Sequence, residues 1–145
     1  MASRACQHVP VTSWAPGWDA FPQPLLDFWT ERHLCSLTTL RADGSPHVVP
    51  VGCALDLEEH CAWIITFGTS QKAANAARDA RVAVCAVDGA RWSTLEGRVS
   101  VRDDAAAVER AVERYAERYR QPQPNPLRVA LRIEVDRFLV SPSLV

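Results

Sequence analysis

Leu34-Cys-Ser-Leu-Thr-Thr-Leu-Arg-Ala-Asp-Gly-Ser-Pro-His-Val-Val-Pro-Val-Gly-Cys-Ala-Leu55 decides the fold. Two β-rich runs, Leu34 to Leu40 and His47 to Leu55, flank Arg-Ala-Asp-Gly-Ser, and Asp43-Gly44 supplies the positive φ that a tight hairpin demands. A second hairpin follows at once, through Asp56 to His60 into Cys61 to Thr66. Asp88-Gly89 signals a third, joining Arg81 to Val87 with Arg91 to Val101. In a last strand, Arg128 to Val140, the residues Val129, Leu131, Ile133 and Val135 alternate with Arg128, Arg132 and Glu134, so one face is buried. About six strands in successive hairpins predict an antiparallel sheet, and closure into a small barrel removes its exposed edges.

Helical patterns sit between these hairpins. Pro24 to His33 places Leu25, Leu26, Phe28 and Trp29 in a short amphipathic pattern opened by proline. Ser70 to about Asp79 reads as a second short helix. From Asp103 to Arg120, the stripe Val108, Val112, Tyr115, Tyr119 marks a third, with Asp103 and Asp104 where the helix dipole favours acid. Arg110 with Glu113 and Arg114 with Glu117 are i,i+3 pairs that read as a solvated face. The prolines from Pro122 to Pro126 stop this helix. Residues 1–22, with prolines and two tryptophans but no period, read as an irregular arm ahead of a domain at 23–145. Trp14 and Trp18 either pack on that domain or on a partner subunit, or belong to a disordered arm.

With 145 residues, 48% of them hydrophobic, the chain fits one globular domain. A net charge of -1 argues against a general nucleic-acid binder, and no apolar run approaches a membrane span. Five cysteines form no C-x-x-C pair and have no histidines at zinc-site spacing, so no metal is expected. Their odd number fits a reducing compartment, and the expected location is cytoplasmic.

One stretch carries chemistry. Thr66-Phe-Gly-Thr-Ser-Gln-Lys-Ala-Ala-Asn75 runs a strand into a helix start, where Ser70 can cap, free backbone N–H groups point outward, and Lys72 adds a full charge. That arrangement suits a phosphate, although an N-cap serine followed by a solvated lysine has the same spelling. The G-x-S-x-G, G-x-x-x-x-G-K-[ST] and G-x-G-x-x-G motifs are absent. The histidines His8, His33, His47 and His60 are scattered and read as structural or surface residues. With no visible nucleophile, metal or acid–base pair, an enzyme of this kind must borrow its reactivity from a bound redox cofactor.

Gly44 to Val51, Thr66 to Lys72, Asp88-Gly-Ala-Arg-Trp92 and Leu95-Glu-Gly-Arg98 resemble successive motifs of the pyridoxamine-phosphate-oxidase-like split-barrel flavoproteins. The resemblance covers Glu31 to Val140. It is strongest to the branch that uses the deazaflavin coenzyme F420, and within it to the biliverdin reductases, through Glu31 to Asp43, Ser70 to Asn75, Val87 to Arg98 and Arg114 to Pro126. What it implies is a six-stranded antiparallel split β-barrel with about three peripheral helices, a homodimer, and hydride transfer from the reduced coenzyme to a conjugated acceptor, best guess biliverdin.

Carried over by position, the resemblance implies that His47, Val48, Val49, Pro50, Val51, Ile65, Thr66, Ser70, Gln71, Lys72 and Arg98 hold the cofactor. Arg41, Arg78, Arg91 and Trp92 become the expected contacts for an acceptor with two propionates. No residue of the chain is expected to react covalently. The phosphate motif departs from the Ser-Arg-Lys of the flavin mononucleotide (FMN) enzymes, because Gln71 replaces the arginine and removes one cation. A singly charged diester therefore fits better than the dianionic phosphate of FMN. An FMN oxidoreductase, or a non-enzymatic carrier of a cofactor or tetrapyrrole, is the alternative.

Overall fold

The computed structural model describes residues 12–144. Eight strands form one antiparallel sheet: β1 (Thr12–Trp14), β2 (Cys35–Leu40), β3 (Pro46–Val51), β4 (Ala54–Asp56), β5 (Cys61–Phe67), β6 (Arg81–Asp88), β7 (Arg91–Arg102) and β8 (Arg128–Val140). Helices α1 (Gln23–Thr30), α2 (Gln71–Arg78) and α3 (Ala105–Arg118) pack around it. The strand order is β3-β2-β6-β7-β8-β5-β4, with β1 added to the end of β8. Its two outermost strands, β3 and β4, are consecutive in the chain, so two residues of covalent backbone close the barrel.

The turns form where the sequence places them. Gly44 and Gly89 both have positive φ, +84° and +59°. Asp104 caps α3 by accepting from the Ala107 N–H, and Ser70 caps α2 by accepting from Ala73. The core joins Leu25, Phe28 and Trp29 of α1 to Leu37, Ile64, Leu95, Leu131 and Ile133 from the strands.

The structure departs from the six-strand expectation in two places. The run His47 to Leu55 is two strands, creased at Gly52-Cys53, because Gly52 lies against α3: a Cβ there would sit 2.6 Å from the Tyr115 ring. The Tyr119 hydroxyl holds the crease by accepting from the Cys53 N–H at 3.1 Å and donating to the His33 carbonyl at 2.7 Å. The other addition is β1, which pairs Thr12 to Trp14 with Val140 to Phe138. Trp14 packs on Phe21 and Phe138, and Trp18 stacks on His60 at 5.6 Å. Residues 12–22 are thus joined to the barrel rather than standing ahead of it. The rest of the expected arm, residues 1–11, lies outside the described residues.

Gly97 answers a second close approach. A β-bulge between Glu96 and Gly97 bends β7 over β8, and a Cβ at 97 would fall 2.0 Å from the Glu134 carbonyl oxygen. Of the cysteines, Cys35, Cys53 and Cys61 are buried, and Cys6 lies outside the described residues. Burial raises the Cys53 thiol well above its usual range and pushes that of Cys61 up to about 12, so both stay protonated and inert. No helix among the described residues is long and apolar enough to cross a membrane.

Candidate functional site

A cleft of about 280 Å³ opens where β3, β5, α2, α3 and the start of β8 meet. Pro50, Val51, Ile65, Thr66, Phe67, Lys72, Tyr115, Pro122 and Arg128 line it. β3 pairs only with β2 and is a sheet edge, so its free side offers backbone hydrogen-bonding groups. At the floor, the Thr66 hydroxyl donates to Ser70 Oγ at 3.1 Å, and Ser70 caps α2. The first N–H groups of that eight-residue helix and the charge of Lys72 give this end a positive potential.

Of the eleven residues expected to hold a cofactor, Pro50, Val51, Ile65, Thr66 and Lys72 line the cleft directly, and Ser70 caps its helix. His47, Val48 and Val49 continue the same edge strand. His47 and Val49 lie half-buried, whereas Val48 faces outward, 58% exposed. His47 Nδ1 is buried without a hydrogen-bond partner. Gln71 turns along its own helix and donates to Asn75 Oδ1 at 2.7 Å. Arg98 is not brought to the cleft: it projects from β7, 69% exposed, and pairs with Asp136 at 3.6 Å.

The four expected substrate contacts fall into two groups. At the Leu40 end of β2, Arg41 donates to the Pro46 carbonyl, while Arg78 donates to the Leu40 carbonyl and to Asn75. Arg91 and Trp92 lie beyond the Cys35 end of β2, since Cys35 is opposite Ala86 and Val87 is opposite Trp92. The six residues of β2 separate the groups by roughly 20 Å, so one chain does not bring all four to one acceptor. Arg91 is already engaged, with Glu31 at 3.0 Å and Asp88 at 2.5 Å, and it rests over the Phe28 ring. The hydrogen bond from Arg91 holds the Glu31 carboxyl below its usual range.

Sequence reasoning missed Tyr115, Pro122 and Arg128 as cleft residues. Arg128 matters most, because it supplies a cation from β8 beside Lys72, where Arg98 was expected and Gln71 removes one. The signal for it was its polar position at the start of an alternating strand, but only the pairing of Arg128 with Phe67 carries it to the cleft.

The family model described as pyridoxamine 5'-phosphate oxidase matches residues 21–141. An F420H(2)-dependent biliverdin reductase of Mycobacterium tuberculosis (strain CDC 1551 / Oshkosh) is 53% identical over 120 residues, covering 83% of this chain and 88% of that protein. Among solved structures, a conserved hypothetical protein of Mycobacterium tuberculosis has a TM-score of 0.72 at 26% identity, covering 86% of each chain. An F420 reductase has a TM-score of 0.64 at 21% identity, covering 77% of this chain and 93% of that one, a likeness of fold alone. With the edge-strand cleft, the capped helix at its floor and these matches together, the chain belongs to the pyridoxamine 5'-phosphate oxidase family.

Proposed function

We propose that this protein is a coenzyme F420-dependent reductase whose acceptor is biliverdin, reduced to bilirubin. The observation that carries the reading is the cleft, in which an apolar wall leads to a helix N-terminus flanked by Lys72 and Arg128. Among the described residues, neither cation has a carboxylate within ion-pair distance. The relative that is 53% identical is named for the same reaction. A tricyclic ring with an anionic side chain fits this donor set: ring against Pro50, Val51 and Ile65, chain toward Ser70 and Lys72. When bound, the reduced coenzyme supplies the hydride. The residues of the chain orient and shield it, because apolar side chains exclude water and fixed cations hold the anionic end.

The remaining assignments belong to the same reading. Residues 23–145, with residues 12–22 packed onto them, form the cofactor domain, with His47 to Val49 extending the ring's edge strand, and the protein works in the cytoplasm. It is a homodimer through the outer face of β3, β2 and β6. That face carries Pro46, Val48 and Val87, with Val48 and Val87 largely exposed, apolar side chains that a second copy would cover. Sedimentation should give a mass near twice the 16.0 kDa of one chain; a single-chain mass would remove the dimer.

Arg128 favours a second reading, since two cations also suit the dianionic phosphate of FMN. Fluorescence titration of the protein with each cofactor separates the two, and saturable binding of FMN alone would reverse the assignment. Mixing the reduced coenzyme with biliverdin in a single turnover should produce the bilirubin absorption band. Both molecules bound without that band would indicate a carrier. Lys72→Ala should weaken coenzyme binding by about 1.5–3 kcal/mol through loss of a charged hydrogen bond, and unchanged affinity would place the lysine outside the site.

A further inference from the structure

Building on the proposed cofactor, a deazaflavin whose phosphodiester is followed by a lactyl-glutamate tail, we infer that Arg128 is the cleft's second anchor and takes a carboxylate of that tail, beyond the phosphodiester held at Lys72. Lys72 sits in the first turn of α2, beside the capping Ser70 at the floor. Arg128 approaches from the other side. It opens β8, opposite Phe67, and its Nη2 donates to the Gln123 carbonyl at 2.7 Å. Gln123 is exposed, so this bond draws the guanidinium toward the solvent rim of the cleft, where a chain leaving the floor must pass.

Among the described residues, the other guanidinium N–H groups of Arg128 have no carboxylate to meet, whereas Arg91, Arg110 and Arg132 each face acids of their own chain. A planar fork with free donors matches a carboxylate in two parallel bonds, which a lysine cannot reproduce. The two cations, both half-buried and carried by different elements, thus read charge at two positions along the cleft. A ligand with its charge spread along a chain engages both, and a short uncharged side chain engages neither.

The test compares wild type, Arg128→Gln and Arg128→Lys in fluorescence titrations with two ligands: the intact coenzyme, and its deazaflavin chromophore fragment lacking phosphate and tail. Arg128→Gln is expected to weaken the intact coenzyme about 10-fold and to leave the fragment unchanged, with Arg128→Lys intermediate. Intact coenzyme bound by Arg128→Gln within twofold of wild type would overturn the inference. Equal losses for coenzyme and fragment would do so as well, because they would mean that Arg128 only props the proline segment. If wild type fails to bind the coenzyme at all, the cofactor reading itself falls. The same variants titrated with FMN against riboflavin would then decide the arginine's role. A loss for FMN alone keeps Arg128 as the second cation, and no loss removes it.

Discussion

Asp56→Ala is expected to destabilise the fold by about 3–5 kcal/mol, because it breaks a buried, fully bonded ion pair and strands its partner. Asp56 is 0% exposed at the end of β4. Arg110 of α3 grips it with two N–H groups at 2.7 and 2.9 Å, Trp63 Nε1 donates at 3.0 Å, and the Glu58 and Glu59 amides complete the set. Burial works to raise the carboxyl's pKa, yet the hydrogen bonds from Arg110, the Glu59 amide and Trp63 outweigh it and hold the group well below its ordinary 3.8.

A pKa depressed in the folded state gives stability that is fully present above the unfolded value. It is lost as pH falls below about 3.8 toward the folded value. Urea unfolding of wild type and Asp56→Ala should therefore differ most near neutral pH and converge on acidification below that point. A gap independent of pH would show that the carboxylate contributes no charge-dependent stability.

Arg118→Leu should cost about 3–5 kcal/mol, lowering the melting temperature by roughly 10–16 °C for a domain of this size. Arg118 is only 7% exposed, and no acid pairs with it among the described residues. Its guanidinium instead donates to three backbone carbonyls: Cys53 at 2.6 Å, Glu31 at 2.8 Å and Phe28 at 3.3 Å. Two of these end α1, where the helix dipole is negative, and the third lies in the crease between β3 and β4. The same group rests over the Trp29 ring at 5.2 Å. Leucine would take the arginine donor from the buried Phe28 and Cys53 carbonyls and the part-buried Glu31 carbonyl, leaving Cys53 only the longer Tyr119 bond at 3.3 Å, and lysine, a single point charge, should recover only part of the loss. A melting shift under 3 °C for Arg118→Leu would show that these carbonyls find other partners.

Local chemistry was legible in the sequence. Gly44, Gly89, Ser70 and Asp104 act through their own backbone or that of residues three positions away, so their roles could be read from neighbours alone. The alternation of β8 was equally plain, and its bounds are those expected. Long-range geometry was not. Asp56 looked like a turn residue because its partner, Arg110, stands 54 positions later and seemed committed to a wet face with Glu113; that pair exists at 3.9 Å, but the short bonds go to Asp56. The crease at Gly52 depends on a tyrosine ring from α3, and the second cation of the cleft depends on a strand pairing. That the expected acceptor arginines emerge at two ends of the sheet was hidden for the same reason, since adjacency of motifs in the chain does not fix the end of the sheet at which each emerges.

The crease at Gly52 also constrains how the polypeptide can mature as it leaves the ribosome. The first hairpin can zip early, but the Tyr119 hydroxyl that fixes its continuation, and then Arg128, are synthesised long afterwards. Until the chain through Arg128 has emerged there is no complete cavity to occupy, so a ligand can rescue a faltering molecule only once the barrel's last strand has begun to leave the ribosome.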